Sequence, residues 1–77
     1  TGKSLLPAGV VSVSGTFGKG DVVAVLGQDG ADIARGLVTH DSVEALQIKG
    51  LKSDAIAQIL GPVFRAEMIH RDDMVML

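Results

Sequence analysis

Asp21-Val22-Val23-Ala24-Val25-Leu26-Gly27-Gln28-Asp29-Gly30-Ala31-Asp32-Ile33-Ala34-Arg35-Gly36-Leu37-Val38 reads as two strands joined by a tight turn. Residues 21–26 are β-branched and continuously apolar after the first, the pattern of a strand buried on both faces. Asp29-Gly30 is a hairpin signal, because both residues tolerate the positive φ that the favoured turns demand. Residues 31–38 return as the partner strand. Gly36 interrupts them, which predicts a bulge or a close backbone approach. Hairpin strands are antiparallel, so a parallel α/β sheet is disfavoured.

Working outward, Val10-Val11-Ser12-Val13-Ser14 alternates at Val11 and Val13 and predicts a further strand. Gly15 to Gly20 reads as a glycine-rich turn with Phe17 at its centre. On the other side the period changes. Asp41 or Ser42 is placed to cap a helix over 43–49, with Asp41 and Glu44 at capping-box spacing and Gly50 closing it. Ser53 is placed to cap a second helix over 54–60, with Ile56, Ile59 and Leu60 on one face and Gly61-Pro62 as its stop. Met68-Ile69-His70 and residues 74–77 read as two short strands around the charged turn Arg71-Asp72-Asp73. Strands, two short helices and strands again predict one mainly β domain over 1–77, a small mixed-β barrel with helices at one side.

Composition limits the function classes. Seventy-seven residues make one domain, which buries only about 60% of its unfolded surface. No cysteine is present, so disulfides and thiolate metal sites are excluded, in keeping with a reducing, cytoplasmic setting. No apolar run approaches the roughly 18 residues of a membrane span, and residues 5–13 are too short and too polar for a signal peptide. Net charge is −2, with two Phe and no Trp or Tyr, a poor match to a nucleic-acid binder that relies on basic excess or stacking rings. The mean hydropathy of +0.39 predicts apolar surface that another domain or subunit covers.

No catalytic constellation emerges. Gly2-Lys3-Ser4 imitates the end of a P-loop, but Leu5-Leu6-Pro7 cannot start the helix that a phosphate cradle requires. Gly15, Gly18 and Gly20 have the wrong order for a dinucleotide fingerprint and suit a strand–strand turn. His40 and His70 have carboxylates beside them in sequence, yet neighbours in a turn rarely converge on one ion, so surface or capping roles are expected. No serine has a nucleophile elbow around it. The seven basic residues are scattered, as solvated charges usually are.

Five pieces in order carry a resemblance over nearly the whole chain. They are Gly2 to Val10 (Gly-x-Ser-Leu-Leu-Pro-x-Gly-Val), Gly20-Asp21, Ala34-Arg35-Gly36, the helical pattern Ile48 to Gly50 with Ser53 to Gly61, and His70-Arg71-Asp72-Asp73. They resemble the C-terminal PUA domain of the glutamate 5-kinase family. The resemblance implies a PUA-like mixed β pseudo-barrel that is non-catalytic by itself. It would be an appendage of an amino-acid kinase domain with a regulatory or assembly role. The family's ATP, magnesium and glutamate sites lie in that kinase domain, so none is assigned to residues here. The family has one more strand and helix ahead of Gly2. Their loss predicts self-association through an edge or an apolar patch that includes Leu5, Leu6, Val10 and residues 75–77. As an alternative, PUA domains elsewhere bind structured RNA by shape and backbone contacts. The resemblance would then place Lys3, Leu6, Pro7 and Arg71 at the contact.

Overall fold

The computed structural model describes residues 3–77; Gly2, and with it the start of the P-loop imitation, lies outside the described residues. A 3-10 turn spans Pro7–Gly9. Strand β1 (Val22–Leu26) and β2 (Asp32–Val38) form the expected hairpin, followed by helices α1 (Ser42–Ile48) and α2 (Ser53–Leu60) and strand β3 (Ile69–Met76). The sheet order is β1-β2-β3, antiparallel at both junctions. This is a mainly β domain with two short helices, as expected. Among the described residues the sheet is open, with β1 and β3 as its edges.

The hairpin closes through the Gly27 N–H on the Ala31 carbonyl and the Gly30 N–H on the Gly27 carbonyl. Gly30 adopts φ 85° while Asp29 does not take positive φ; the turn needs the glycine for its backbone, and Asp29 serves it by accepting from the Ala31 N–H at 3.1 Å. Two expectations about strands are corrected. β1 is not buried on both faces: its exposure alternates, and Val22 and Leu26 are exposed. An edge strand covered on one face only has no second layer to bury the other. Residues 10–14 do not form a strand. Val10 and Val13 pack on the core while Val11 is 76% exposed, so the segment is anchored by side chains rather than by a ladder.

At Gly36 the backbone of β3 comes close to β2. A Cβ there would sit 2.6 Å from the Asp73 carbonyl oxygen and 2.7 Å from Ile69 Cγ2. The register also breaks beside it. Gly36 pairs with Met74 and Val38 with Ile69, leaving His70, Arg71, Asp72 and Asp73 opposite Leu37. The two short strand pieces expected around the charged turn are therefore one strand with a wide bulge, and the turn is the bulge.

Asp41 caps α1: its carboxylate accepts from the Glu44 N–H at 2.8 Å. Gly50 follows with φ 76°, and its N–H donates to the Pro7 carbonyl. In α2 the expectation is one residue off. Lys52 is the cap residue, without a side-chain bond, and Ser53 is already helical. Ile56 is buried and Leu60 packs on the core, but Ile59 is 46% exposed. Val38, Ala45, Ile48, Ile56 and Met68 form one buried cluster joining sheet and helices, with Leu5, Phe17 and Phe64 packed against it.

Candidate functional site

The segment before the 3-10 turn is laid against the start of β3. The Leu5 N–H donates to the Ile69 carbonyl at 2.9 Å, and the Leu5 carbonyl accepts from the Met68 N–H at 2.7 Å. One residue earlier, the Ser4 hydroxyl accepts from the Arg71 N–H at 3.0 Å. Extended backbone at Leu5 and a short hydroxyl at Ser4 thus tie the chain's opening to the β3 bulge. The P-loop imitation leads into a β-bridge at Leu5 and not a helix.

This junction sets Ser4 and Leu5, the sequence neighbours of Lys3 and Leu6, against β3 at Arg71 and Ile69. Lys3 and Leu6 are exposed, and the Arg71 side chain is 60% exposed, with Nε 4.0 Å from Asp72 Oδ1. Pro7 departs from the expectation. It is buried at the first position of the 3-10 turn, and its carbonyl accepts from the N–H groups of Val10 and Gly50. Its ring anchors the loop and offers no contact surface. The bulge is internally bonded: the Asp72 N–H donates to His70 Nδ1 at 3.1 Å. Asp72 and Asp73 sit beside Arg71 in the bulge, so the bulge is mixed in sign.

His40 corrects the surface or capping role expected of it. It is 3% exposed, with Nε2 2.8 Å from the Arg65 carbonyl and Nδ1 3.0 Å from Glu44 Oε1. The Glu44 carboxylate therefore turns to His40 instead of completing a capping box. His40 and Glu44 also line an open cleft of about 320 Å³ with Lys19, Thr39, Phe64 and Arg65. Both partners are engaged with each other, and Lys19 Nζ lies 3.9 Å from the same carboxylate oxygen, so the cleft presents no poised base. Among the described residues no group of three or more His, Asp or Glu could hold a metal ion. No helix there is long and apolar enough to cross a membrane.

Sequence reasoning missed two serine clamps. Ser4 is one. Ser42 is the other: its N–H donates to the Phe17 carbonyl at 2.9 Å, and its hydroxyl accepts from the Phe17 N–H at 3.2 Å. Neither has a local signal, since the partners lie 67 and 25 residues away. His40 does have one, the i,i+4 spacing to Glu44.

Residues 1–60 match the PUA domain model. Glutamate 5-kinase of Rhizobium etli (strain CIAT 652) is 61% identical over 75 residues, 97% of this chain and 19% of that protein. Glutamate 5-kinase of Agrobacterium fabrum is 59% identical over the same share of this chain, again 19% of its own length. Glutamate 5-kinase 1 of Mesorhizobium japonicum is 57% identical over 97% of this chain and 20% of its own. The chain spans about a fifth of the length of the curated relatives it matches.

Proposed function

This chain belongs to the PUA domain family, and from that premise we propose that it serves as the accessory PUA domain of a glutamate 5-kinase. The observation that carries the reading is identity of 57–61% over 97% of the chain to proteins of that name. The reaction of such a kinase would be ATP-dependent phosphorylation of the glutamate side-chain carboxylate, with magnesium, at the entrance to proline synthesis in the cytoplasm. The chain itself would not catalyse it: the buried His40 and its partner Glu44 are bonded to each other, and His40 to backbone as well.

Its role would be regulatory or assembling, through contact with its own kinase domain. An appended domain shifts a neighbour's equilibrium only through contacts that differ between the neighbour's states. The test is to delete this domain from a full-length relative and measure proline inhibition and oligomeric state. A change in either supports the role; no change in both overturns it. Incubating the chain alone with glutamate, ATP and magnesium should yield no glutamyl phosphate, and turnover by the pure chain would contradict an accessory role.

A second reading, RNA contact, draws on one observation: the segment that holds Lys3 and Leu6 is tied to β3 at Arg71 and Ile69 through Ser4 and Leu5. Against it, Phe17 and Phe64 are packed on the core and unavailable for stacking, and the net charge is −2. Titration of structured RNA at rising salt separates the cases. Retained structure preference supports recognition, while loose phosphate attraction falls away steeply. Absence of binding at low salt removes the reading.

A further inference from the structure

One buried titratable side chain has a bonding pattern that a neutral ring does not satisfy. His40 is 3% exposed, and both of its ring nitrogens face oxygen atoms: Nε2 lies 2.8 Å from the Arg65 carbonyl and Nδ1 lies 3.0 Å from Glu44 Oε1. A backbone carbonyl accepts and cannot donate, so Nε2 carries a hydrogen. A neutral imidazole has only one N–H, which would leave the Nδ1 lone pair aimed at the carboxylate. Two lone pairs at that distance repel. The contact at 3.0 Å thus requires a proton between Nδ1 and Oε1. Glu44 is 30% exposed and has Lys19 beside it, so the ring is the partner that carries that proton.

What the ring holds down is the segment between α2 and β3. Among the described residues the bond from His40 is the one hydrogen bond that residues 62–66 make. Phe64 packs on the core, while Val63 is 91% exposed. Thr39 fastens the far end of the segment, its hydroxyl donating to the carbonyls of Glu67 and Met68. The charged groups around the ring come from each side. Glu44 faces Nδ1 from α1, and Lys19 approaches the same carboxylate oxygen at 3.9 Å from the turn ahead of β1. Arg65 lines the cleft beside His40, and Asp73 lines the adjoining one together with Arg65. Asp41, next in sequence, is occupied by the Glu44 N–H.

We propose that the proton on His40 Nδ1 fastens residues 62–66 against helix α1, so that this segment is closed at mildly acid pH and released as pH rises. The protonated ring supplies one donor to each oxygen, and its bond to the carboxylate is charge-assisted, about twice as strong as a neutral one. Imidazoles give up their charge as pH rises through roughly 5 to 8. Once Nδ1 is bare it repels Glu44 Oε1, the ring leaves its position, and the Arg65 carbonyl loses its donor. Stability from this contact is therefore present on the acid side and lost on the alkaline side. Release moves the wall that Phe64 and Arg65 contribute to the cleft of about 320 Å³, uncovering an aromatic ring beside an arginine. Thr39 and the buried cluster keep their own contacts, so the change is local. The device is a pH sensor built on a two-state segment, and it does not rest on the kinase assignment.

NMR relaxation of backbone amides at about pH 6 and about pH 8.5 tests it, with far-UV circular dichroism confirming that the chain is folded at both. The amides of Val63, Phe64 and Arg65 should show order parameters near about 0.85 at the lower pH, falling to about 0.6 at the higher. Glu44→Gln is the decisive variant. A glutamine amide N–H donates to a neutral Nδ1, so the segment stays closed without the extra proton and the pH dependence disappears. Should Glu44→Gln unfold, Glu44→Ala replaces it; with no oxygen facing Nδ1, raising the pH no longer releases the segment. Order parameters that hold across the range in the parent overturn the proposal and leave the segment to the packing of Phe64. A fall of the same size in the variant also overturns it, since the proton being sensed then lies elsewhere. Proton–nitrogen spectra of the His40 ring supply a second readout. Nε2 should keep its hydrogen at both pH values while Nδ1 loses its own on the way up, and a bare Nδ1 at the lower pH overturns the assignment.

Discussion

At Gly36 two physical effects oppose each other. Replacing glycine by alanine stiffens the unfolded chain and, where the backbone allows it, stabilises by up to about 1 kcal/mol. Gly36 is not in the left-handed region, so that gain is available. The new methyl would nevertheless sit 2.6 Å from the Asp73 carbonyl oxygen, and overpacking costs about 1–3 kcal/mol. The clash wins, because the Asp73 carbonyl oxygen and Met74 Cα, both backbone, lie 2.6 and 3.1 Å from the new methyl and cannot rotate aside as a flexible side chain would. Gly36→Ala is expected to lower the urea midpoint accordingly, whereas an unchanged or raised midpoint would mean that β3 can step away from β2. His40 has no such compensation. His40→Ala removes the donor to the Arg65 carbonyl and the partner of Glu44, a loss of about 2–3 kcal/mol. Thermal unfolding would show it, and a melting temperature within a degree of the parent's would argue that the loop around Arg65 contributes nothing to stability. The close approach at Gly36 was legible, since a lone glycine inside a strand marks a bulge or a place where another backbone comes near. The burial of His40 was not, because it depends on residues 61–67 folding back over a position 25 residues earlier.

Helix starts provide the sharpest comparison between elements. Both helices have a polar residue at or near the start, but only Asp41 caps, through the Glu44 N–H. Asp41→Ala should cost about 1 kcal/mol, while Ser53→Ala should stay within about 0.5 kcal/mol, both read from urea titrations. Equal effects would mean that the cap at Asp41 is not formed in solution. The helices, their glycine stops and the hairpin were readable because each is specified by residues within one or two turns of itself. The strand expected over 10–14 fails for the complementary reason. Alternation says that a segment can lie flat, but a ladder needs a partner, and partners are set by topology. The same blindness split β3 into two pieces, since the bulge at His70 to Asp73 is visible only against Leu37 on β2.

For the whole molecule, one buried cluster joins β2, both helices and Met68. Unfolding is therefore expected to be a single transition. Amide signals of β1 and α2 followed by NMR should lose intensity at the same urea concentration, and midpoints that separate would divide the sheet from the helices. The candidate site was legible only as a set of residues, Lys3, Leu6, Pro7 and Arg71, named through resemblance. What joins them, the Ser4 hydroxyl and the Leu5 bridge, spans almost the full chain and leaves no local trace. That span has a consequence during synthesis. At about 5–20 residues per second, Ser4 and Leu5 wait roughly 3–13 s for their partners on β3 to be made. For that interval Leu5, Val10 and Val13, which rest on the finished core, stay uncovered on the ribosome, an apolar segment of the kind that holding chaperones grip.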